Sequence, residues 1–320
     1  MHEGAVAHRK QTHAATEYAI VAHDLAKSYG QIRAVDGLTF AVERGEVFAL
    51  LGPNGAGKTT TVEMLEGYRK PDGGTVQVLG YDPISQGREM RQHMGLMLQQ
   101  TALYEKIRVH EALDVFCSYY RNPRDPNELM KLIGLASHAS SYFDTLSGGQ
   151  KQRLSLGLAL AGNPEVAFLD EPTAAMDPQA RLQTWEIISS LRASGVTILL
   201  TTHYMEEAQR LADHVAIVDH GKLIAFGTPE ELTRSSAGEI ISFISQEGLD
   251  LTGLQELPFV TGVREDRPGT YTMTTTNALD SVAALAQWRR DANVTVEHMQ
   301  VTGATLEEVF LQLTGEEVRD

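Results

Sequence analysis

The sequence predicts an α/β fold built around a phosphate-binding loop, and three observations predict it. The stretch Gly52-Pro53-Asn54-Gly55-Ala56-Gly57-Lys58-Thr59-Thr60 fits the pattern G-x-x-x-x-G-K-[ST] at every fixed position. An apolar run of strand type, Glu46 to Leu51, leads into it, and a helical pattern from Thr60 to Tyr68 leads out of it. Farther along, Val166-Ala167-Phe168-Leu169 reads as a buried strand that ends in Asp170-Glu171.

The loop's composition states its chemistry. Gly52, Gly55 and Gly57 let the backbone approach a phosphate with no Cβ in the way. Their amide N–H groups form an anion nest, to which the following helix N-terminus adds partial positive charge. Lys58 supplies a full charge for β- and γ-phosphates, and the Thr59 hydroxyl is placed to ligate Mg²⁺.

Composition narrows the setting. The chain has 320 residues, 42% hydrophobic, enough for one large domain or two smaller ones. Its net charge of −15 argues against a protein that coats nucleic acid or adheres directly to anionic lipid. The single cysteine, Cys117, excludes an intrachain disulfide and suits a reducing cytoplasm. No apolar run approaches the ~18 residues of a membrane span, and the N-terminus lacks a signal-peptide core. A cytosolic protein is the expectation.

In chain order, residues 1–17 are polar and are expected to be disordered. Ala19 to Ala26 and Leu38 to Val42 read as strands joined through Lys27-Ser28-Tyr29-Gly30, where Tyr29 either stacks on a nucleobase or simply packs the turn. Pro71-Asp72-Gly73-Gly74 reads as a turn before the strand Thr75 to Leu79, and Met94 to Leu98 as another strand. Val109 to Leu160 turns helical, broken at Pro123 and Pro126, and looks like a helical insertion over about 104–162. Within it Thr145-Leu146-Ser147-Gly148-Gly149-Gln150 opens a helix with Ser147 as N-cap, a second anion nest in the same chain. Alternation along the Val166 strand turns Asp170 and Glu171 different ways, so that one can hold Mg²⁺ while the other faces a water. Helices over Gln179 to Ala193 and Met205 to Ala212 alternate with strands Val196 to Leu200 and His214 to Asp219. Thr201-Thr202-His203 falls at the C-terminal edge of the sheet, where open parallel sheets bind ligands.

Together these segments resemble the nucleotide-binding subunit of an ABC transporter, over roughly Tyr18 to Thr233. Leu146-Ser147-Gly148-Gly149-Gln150 is that family's signature sequence in full. The resemblance implies an ABC-type P-loop NTPase core with a helical subdomain, spanning 18–236. It implies ATP and Mg²⁺ as ligands, with Tyr29 on the adenine and Gly52 to Thr60 on the phosphates. Gln99 would touch Mg²⁺ and the attacking water, although the adjacent Gln100 competes for that place. Thr59 and Asp170 would support the metal, Glu171 would polarise the water, and His203 would contact the γ-phosphate. Ser147, Gly148, Gly149 and Gln150 would close on ATP held by a second copy, so the implied assembly is a homodimer. The implied partner is an integral membrane permease, with the chain cytoplasmic and peripheral on the inner face of the cell membrane through that partner alone. Two departures stand out: Ala175-Met176 where the family usually has Gly-Leu, and Ala34 where many relatives carry a larger aliphatic against the base.

After about Ser236 the pattern changes to a small α+β domain of ferredoxin-like type, expected over 237–320. His203-Tyr204-Met205-Glu206-Glu207-Ala208 and Leu306 to Gly315 resemble ATPases of drug and antibiotic exporters of the daunorubicin-resistance type. The last helix is equally readable as an amphipathic docking helix, with Leu306, Val309, Phe310 and Leu313 facing the domain. An importer ATPase with a regulatory tail, which would tend toward an all-β barrel, and a soluble ABC ATPase acting on ribosomes or DNA are the alternatives. A GTPase is disfavoured because no Asn-Lys-x-Asp follows.

Overall fold

The computed structural model describes residues 17–98, 102–174, 176–236, 238–303 and 305–315. Expectations for residues 1–16, for Gln99 and Gln100, and for Ala175 lie outside the described residues. The chain divides into two units between Phe226 and Gly227.

The first unit opens with two long antiparallel strands, β1 (Tyr18–Tyr29) and β2 (Ile32–Glu43). The central strand β3 (Val47–Leu51) is buried at all five positions, as a parallel strand covered on both faces must be. The phosphate loop then runs into α1 (Lys58–Leu65), followed by β4 (Gly73–Val78), α2 (Gly87–Met90) and β5 (Met94–Met97). Three helices are inserted next: α3 (Val109–Ser118), α4 (Pro126–Leu132) and α5 (Gly148–Ala159). The core resumes with β6 (Val166–Asp170), α6 (Pro178–Ala193), β7 (Thr197–Thr201), α7 (Met205–Leu211), β8 (His214–Asp219) and β9 (Lys222–Gly227).

The main sheet has the order β5-β6-β7-β3-β8-β9, and a three-stranded sheet, β2-β1-β4, lies beside it. One apolar core joins the two: Phe40 of β2 stacks on Phe48 of β3 with ring centroids 5.3 Å apart, and Ile20, Leu25, Met64, Phe168 and Leu199 fill in around them. Each such fully buried side chain contributes about 1.5–3 kcal/mol, which fixes the sheet that carries the site. β6, β7 and β3 are parallel neighbours in register, with Asp170 opposite Thr201 and Thr201 opposite Leu50. The loops after these three strands therefore emerge level at one edge.

Three local expectations are corrected. Tyr29 closes β1, and the turn itself falls on Gly30, at φ 61°. Gly73 and Gly74 belong to β4: a Cβ on Gly74 would lie 2.2 Å from the Asp24 carbonyl oxygen, so this glycine serves close strand approach at an irregular stretch of β1. Pro126 starts a helix, because Asp125 caps it and N1 needs no N–H. Asp177 and Pro178 start α6 in the same way.

The second unit holds α8 (Pro229–Ser236), β10 (Glu239–Ile244), α9 (Leu251–Gln255), β11 (Val260–Arg267), β12 (Thr270–Thr275), α10 (Ala278–Asp291), β13 (Glu297–Thr302) and α11 (Leu306–Thr314). Its sheet is antiparallel throughout, in the order β11-β12-β10-β13, a β-α-β-β-α-β arrangement. Ile241, Phe243, Tyr271 and Met273 of the strands pack with Leu254 of α9 and Leu285 of α10. The unit begins before the boundary expected after residue 236 because α8 packs on α11. α11 is held at both ends, by the Thr305–Glu308 capping box and by left-handed Gly315, with Leu306, Val309 and Phe310 buried.

Candidate nucleotide-binding and hydrolysis site

The phosphate loop is held open by backbone geometry. Gly57 caps α1 at φ 99° and Gly55 stands at φ 84°, both left-handed. A Cβ on Gly57 would come within 2.2 Å of the Ala34 carbonyl oxygen, and one on Gly52 within 2.3 Å of that of Val218. The turn after β8 braces the loop: Gly221 N–H donates to the Ala56 carbonyl (3.0 Å), and the Gly221 carbonyl accepts from Asp36 N–H (2.8 Å). The Lys58 ammonium donates to the carbonyls of Gly52 (2.5 Å) and Pro53 (3.0 Å), so its charge lies inside the curve of the loop. Asn54 and Thr59 are exposed, while Thr60 and Pro53 are half-buried.

The carboxylates stand on the neighbouring strands. Asp170 ends β6 and accepts a hydrogen bond from the Thr201 hydroxyl. Glu171 lies beyond the strand, at φ 48°. Its N–H donates to the Thr201 carbonyl (3.0 Å) and its own carbonyl accepts from Gln152 Nε2 of α5 (3.1 Å). A left-handed non-glycine residue costs about 1–2 kcal/mol, so this position is held by its surroundings. The strand ends at Asp170, so the left-handed backbone at Glu171, beyond the reach of strand alternation, sets the direction in which its side chain leaves the chain. Glu171 Oε1 meets His203 Nδ1 at 3.3 Å, and the His203 ring packs on Tyr204 with centroids 4.1 Å apart.

Burial and like charge act together here. Burial pushes the Asp170 carboxyl up, the Thr201 hydroxyl opposes that, the charge of Glu171 adds to it, and Lys58 opposes it. Burial lowers Lys58, against the pull of Glu171 and Asp170. Glu66, at the end of α1, is pushed up to about 8 by burial first and then by Asp170 and Glu63. Among the described residues no cluster of three His, Cys, Asp or Glu side chains could cage a metal. Mg²⁺ held beside a polyphosphate takes one or two protein oxygens and the phosphates themselves. The hydroxyl of Thr59 and the carboxylate of Asp170 are donors of that hard-oxygen kind.

The remaining predicted residues stand on β1, on α5 and in the loop after β6. The Tyr29 ring is 40% exposed, with the Arg69 guanidinium 5.4 Å and the Lys27 ammonium 5.9 Å from its centroid. Ser147 caps α5 in a reciprocal box: its Oγ accepts from Gln150 N–H (3.3 Å) and its N–H donates to Gln150 Oε1 (2.9 Å). Ser147 and Gly148 are exposed, and no hydrogen bond among the described residues joins them to the phosphate loop. Gln150 Nε2 reaches His138 Nε2 at 3.0 Å. Met176 is buried, 3.3 Å from the Thr184 hydroxyl, and its side chain borders Gly149.

A family model described as ABC transporter matches residues 35–174. Daunorubicin resistance ATP-binding protein DrrA3 of Streptomyces coeruleorubidus is 36% identical over 307 residues, covering 94% of this chain and 97% of the relative. The chain belongs to the ATP-binding proteins of ABC transporters. The Nod factor export ATP-binding protein I of Ralstonia nicotianae is 39% identical over 315 residues, covering 92% of this chain and 94% of its own length. Among solved structures, an ATP-binding subunit of an ABC transporter superposes with a TM-score of 0.62 at 29% identity, covering 68% of this chain and 92% of its own. The cbiO1 subunit from Clostridium perfringens gives 0.63 at 26% identity, with the same coverage. The protein is therefore an ABC ATPase, which binds and hydrolyses ATP and works with a membrane permease. Among the described residues it has no helix long and apolar enough to cross a membrane.

Several residues of this ABC ATPase site escape the sequence reading. The sequence places Thr201 at the ligand edge of the sheet, but its bond to Asp170 needs the strand register. Gln152 looks like one more polar residue of α5, and Gly221 like an ordinary hairpin glycine. Glu66 is the exception that composition could have flagged, as an acid next to Leu65 on a helix of which Thr61, Val62, Met64 and Leu65 are buried.

Proposed function

We propose that this ATPase powers the export of a drug- or antibiotic-like molecule through a separate integral membrane permease, working as a homodimer that closes on two ATP molecules. Gly52 to Thr60 hold the phosphates, with Pro53, Asn54 and Ala56 shaping the loop between its glycines, and Tyr29 stacks on the adenine. Thr59, Asp170 and Gln99 hold Mg²⁺, which neutralises phosphate charge when bound. Glu171 takes a proton from the water that attacks the γ-phosphorus, while the bond from that phosphorus to the bridging oxygen breaks. His203 contacts the γ-phosphate and keeps Glu171 in place. Ser147 to Gln150 of one copy face the nucleotide of the other.

The observation that carries this reading is the Glu171–His203 pair, 3.3 Å apart on the same sheet edge as the phosphate loop. The signature turn is exposed at Ser147 and Gly148, with its capping box leaving those two residues open to a second copy, which supports a nucleotide shared between copies. Export is supported by relatives named for daunorubicin resistance, linearmycin resistance and Nod factor export, all matched over more than nine-tenths of this chain and so across its second unit. The β-α-β-β-α-β fold of that unit also departs from the all-β tail of the importer alternative. On this reading the inserted helices, about 104–162, move against the permease on the inner face of the cell membrane. Differential affinity of ATP for the closed state supplies the drive.

The test is to wash membranes of the native host, solubilise them, and identify what stays bound to this chain. A multispan partner is the expected result. Recovery with ribosomes or DNA and no membrane protein would end the export reading and leave the ATPase chemistry standing.

A further inference from the structure

Glu207 of α7 is fully buried, an expensive place for a carboxylate. Its Oε1 accepts two hydrogen bonds, from the Thr173 hydroxyl and from the Trp185 indole N–H, each at 3.0 Å. Its Oε2 has no hydrogen-bond partner among the described residues, and nor has the buried Nε of Arg181. Burial pushes the carboxyl up, opposed by the hydroxyl of Thr202, the Trp185 indole, the Thr173 hydroxyl and the charge of Arg181. An apolar side chain would fill such a space without that desolvation, so the fold holds this carboxylate for what it ties together.

What it ties together is distributed around the hydrolysis site. Thr173 is buried in the loop two residues after Glu171. Thr202 immediately precedes His203, and its hydroxyl accepts from Tyr204 N–H at 3.0 Å. Trp185 and Arg181 come from α6, and the Arg181 guanidinium lies 4.1 Å from the centroid of the Tyr204 ring, which in turn packs on His203. One buried acid, on the helix that follows directly from the His203 loop (its N–H donates to the Tyr204 carbonyl at 3.0 Å), thus bonds the loop carrying Glu171 and the helix between the two in sequence.

We propose that Glu207 is a positioning residue for ATP hydrolysis: it locks the loops after β6 and β7 together, and so sets Glu171 and His203 face to face. The inference rests on the roles given above to those two residues. Because a misplacement of about 1 Å at a reacting pair can cost about 10²-fold, the lock acts on turnover and not on nucleotide affinity. The phosphate loop, braced from β2 and the β8–β9 turn, does not depend on it.

The experiment compares Glu207→Ala and Glu207→Gln in the full-length protein, with Glu171→Gln as control. MgATP turnover is measured per bound nucleotide, and backbone hydrogen exchange is followed over 170–176, 201–205 and 52–60. Glu207→Ala is expected to lower kcat about 10- to 100-fold with KM within about threefold, and to speed exchange in the first two segments only. Glu207→Gln keeps an acceptor oxygen for Thr173 and Trp185, and is expected to recover kcat to within about fivefold of the native protein. A residue needed only for folding would reduce the amount of nucleotide-binding protein and leave the turnover of the remainder unchanged. Native turnover per bound nucleotide in Glu207→Ala, or unchanged exchange in both loops, overturns the proposal. Native turnover in Glu171→Gln would instead overturn the role of Glu171, and the exchange pattern then still reports whether Glu207 holds the loops.

Discussion

Glu171 Oε1 and His203 Nδ1 meet at 3.3 Å, across two strands that are neighbours in the sheet. Neither residue lies in a strand itself. Each is the first or second residue past a strand end, and the register of Asp170 with Thr201 brings those ends level. A carboxylate backed by an imidazole can take a proton from water and keep its orientation while the bond from the γ-phosphorus to the bridging oxygen breaks.

Replacing that carboxylate should separate binding from hydrolysis. Glu171→Gln retains the shape of the side chain and removes the proposed base, so turnover should fall by about 10²–10⁴. ATP affinity should stay within about threefold, and light scattering with saturating MgATP should show a dimer. A turnover rate within a factor of two of native, or a monomeric mass, sinks the assignment.

Lys58 carries the converse expectation. Its ammonium lies on the carbonyls of Gly52 and Pro53, inside the loop that is to receive the phosphates. Charge-assisted bonds of this kind contribute about 1.5–3 kcal/mol, so Lys58→Ala should weaken ATP binding by about ten- to a hundredfold. Titration with a fluorescent ATP analogue reads this directly. Unchanged affinity would mean that the anion nest alone holds the phosphates.

Much of this site was legible in the sequence, and the parts that were not share a physical cause. The phosphate loop is legible because it is contiguous: the glycines, Lys58 and Thr59 that make up the motif are neighbours in the chain. The common sheet edge of Asp170 and His203 is legible because apolar runs mark the strands that end there. The left-handed turn at Glu171 is not, since the alternation rule ends where the strand does. Glu207 is illegible for another reason. Glu206 is exposed and Glu207 buried, yet the pair reads as two polar residues on a helix, and the hydrogen-bond partners of the Glu207 carboxylate come from α6 and from the loop after β6.

Glu66 predicts a pH dependence of stability. The sign follows from an acid raised from 4.5 to about 8 in the folded protein, chiefly by burial. Below pH 4.5 the group is protonated in both folded and unfolded chains and contributes no difference. As pH rises through 4.5 toward 8, the unfolded chain ionises while the folded one resists, so stability is progressively lost, up to about 5 kcal/mol above pH 8. Glu66→Gln should remove this loss, raising Tm at pH 8 while matching the native protein near pH 4.5. Parallel Tm-versus-pH curves for the two proteins would contradict the buried, protonated state.

His138 and Gln150 yield the last prediction. Gln150 spends its Oε1 on the Ser147 N–H and its Nε2 on His138 Nε2, at 2.9 and 3.0 Å. The other imidazole nitrogen lies 3.0 Å from the Ser137 hydroxyl, so a proton on Nδ1 leaves Nε2 free to accept. His138 thus orients the side chain that closes the capping box of the signature turn, from outside the signature itself. Replacing it with phenylalanine removes the acceptor and keeps the ring, at a cost of about 1 kcal/mol, or roughly fivefold. If the signature turn of one copy meets the nucleotide of the other, that fivefold should appear in the ATP-driven dimerisation constant and not in the affinity of the monomer for ATP. Sedimentation of His138→Phe in the Glu171→Gln background, over a range of protein concentrations, measures the first. Titration at protein concentrations too low for dimers measures the second. A change confined to monomer affinity would place the signature beside its own phosphate loop instead.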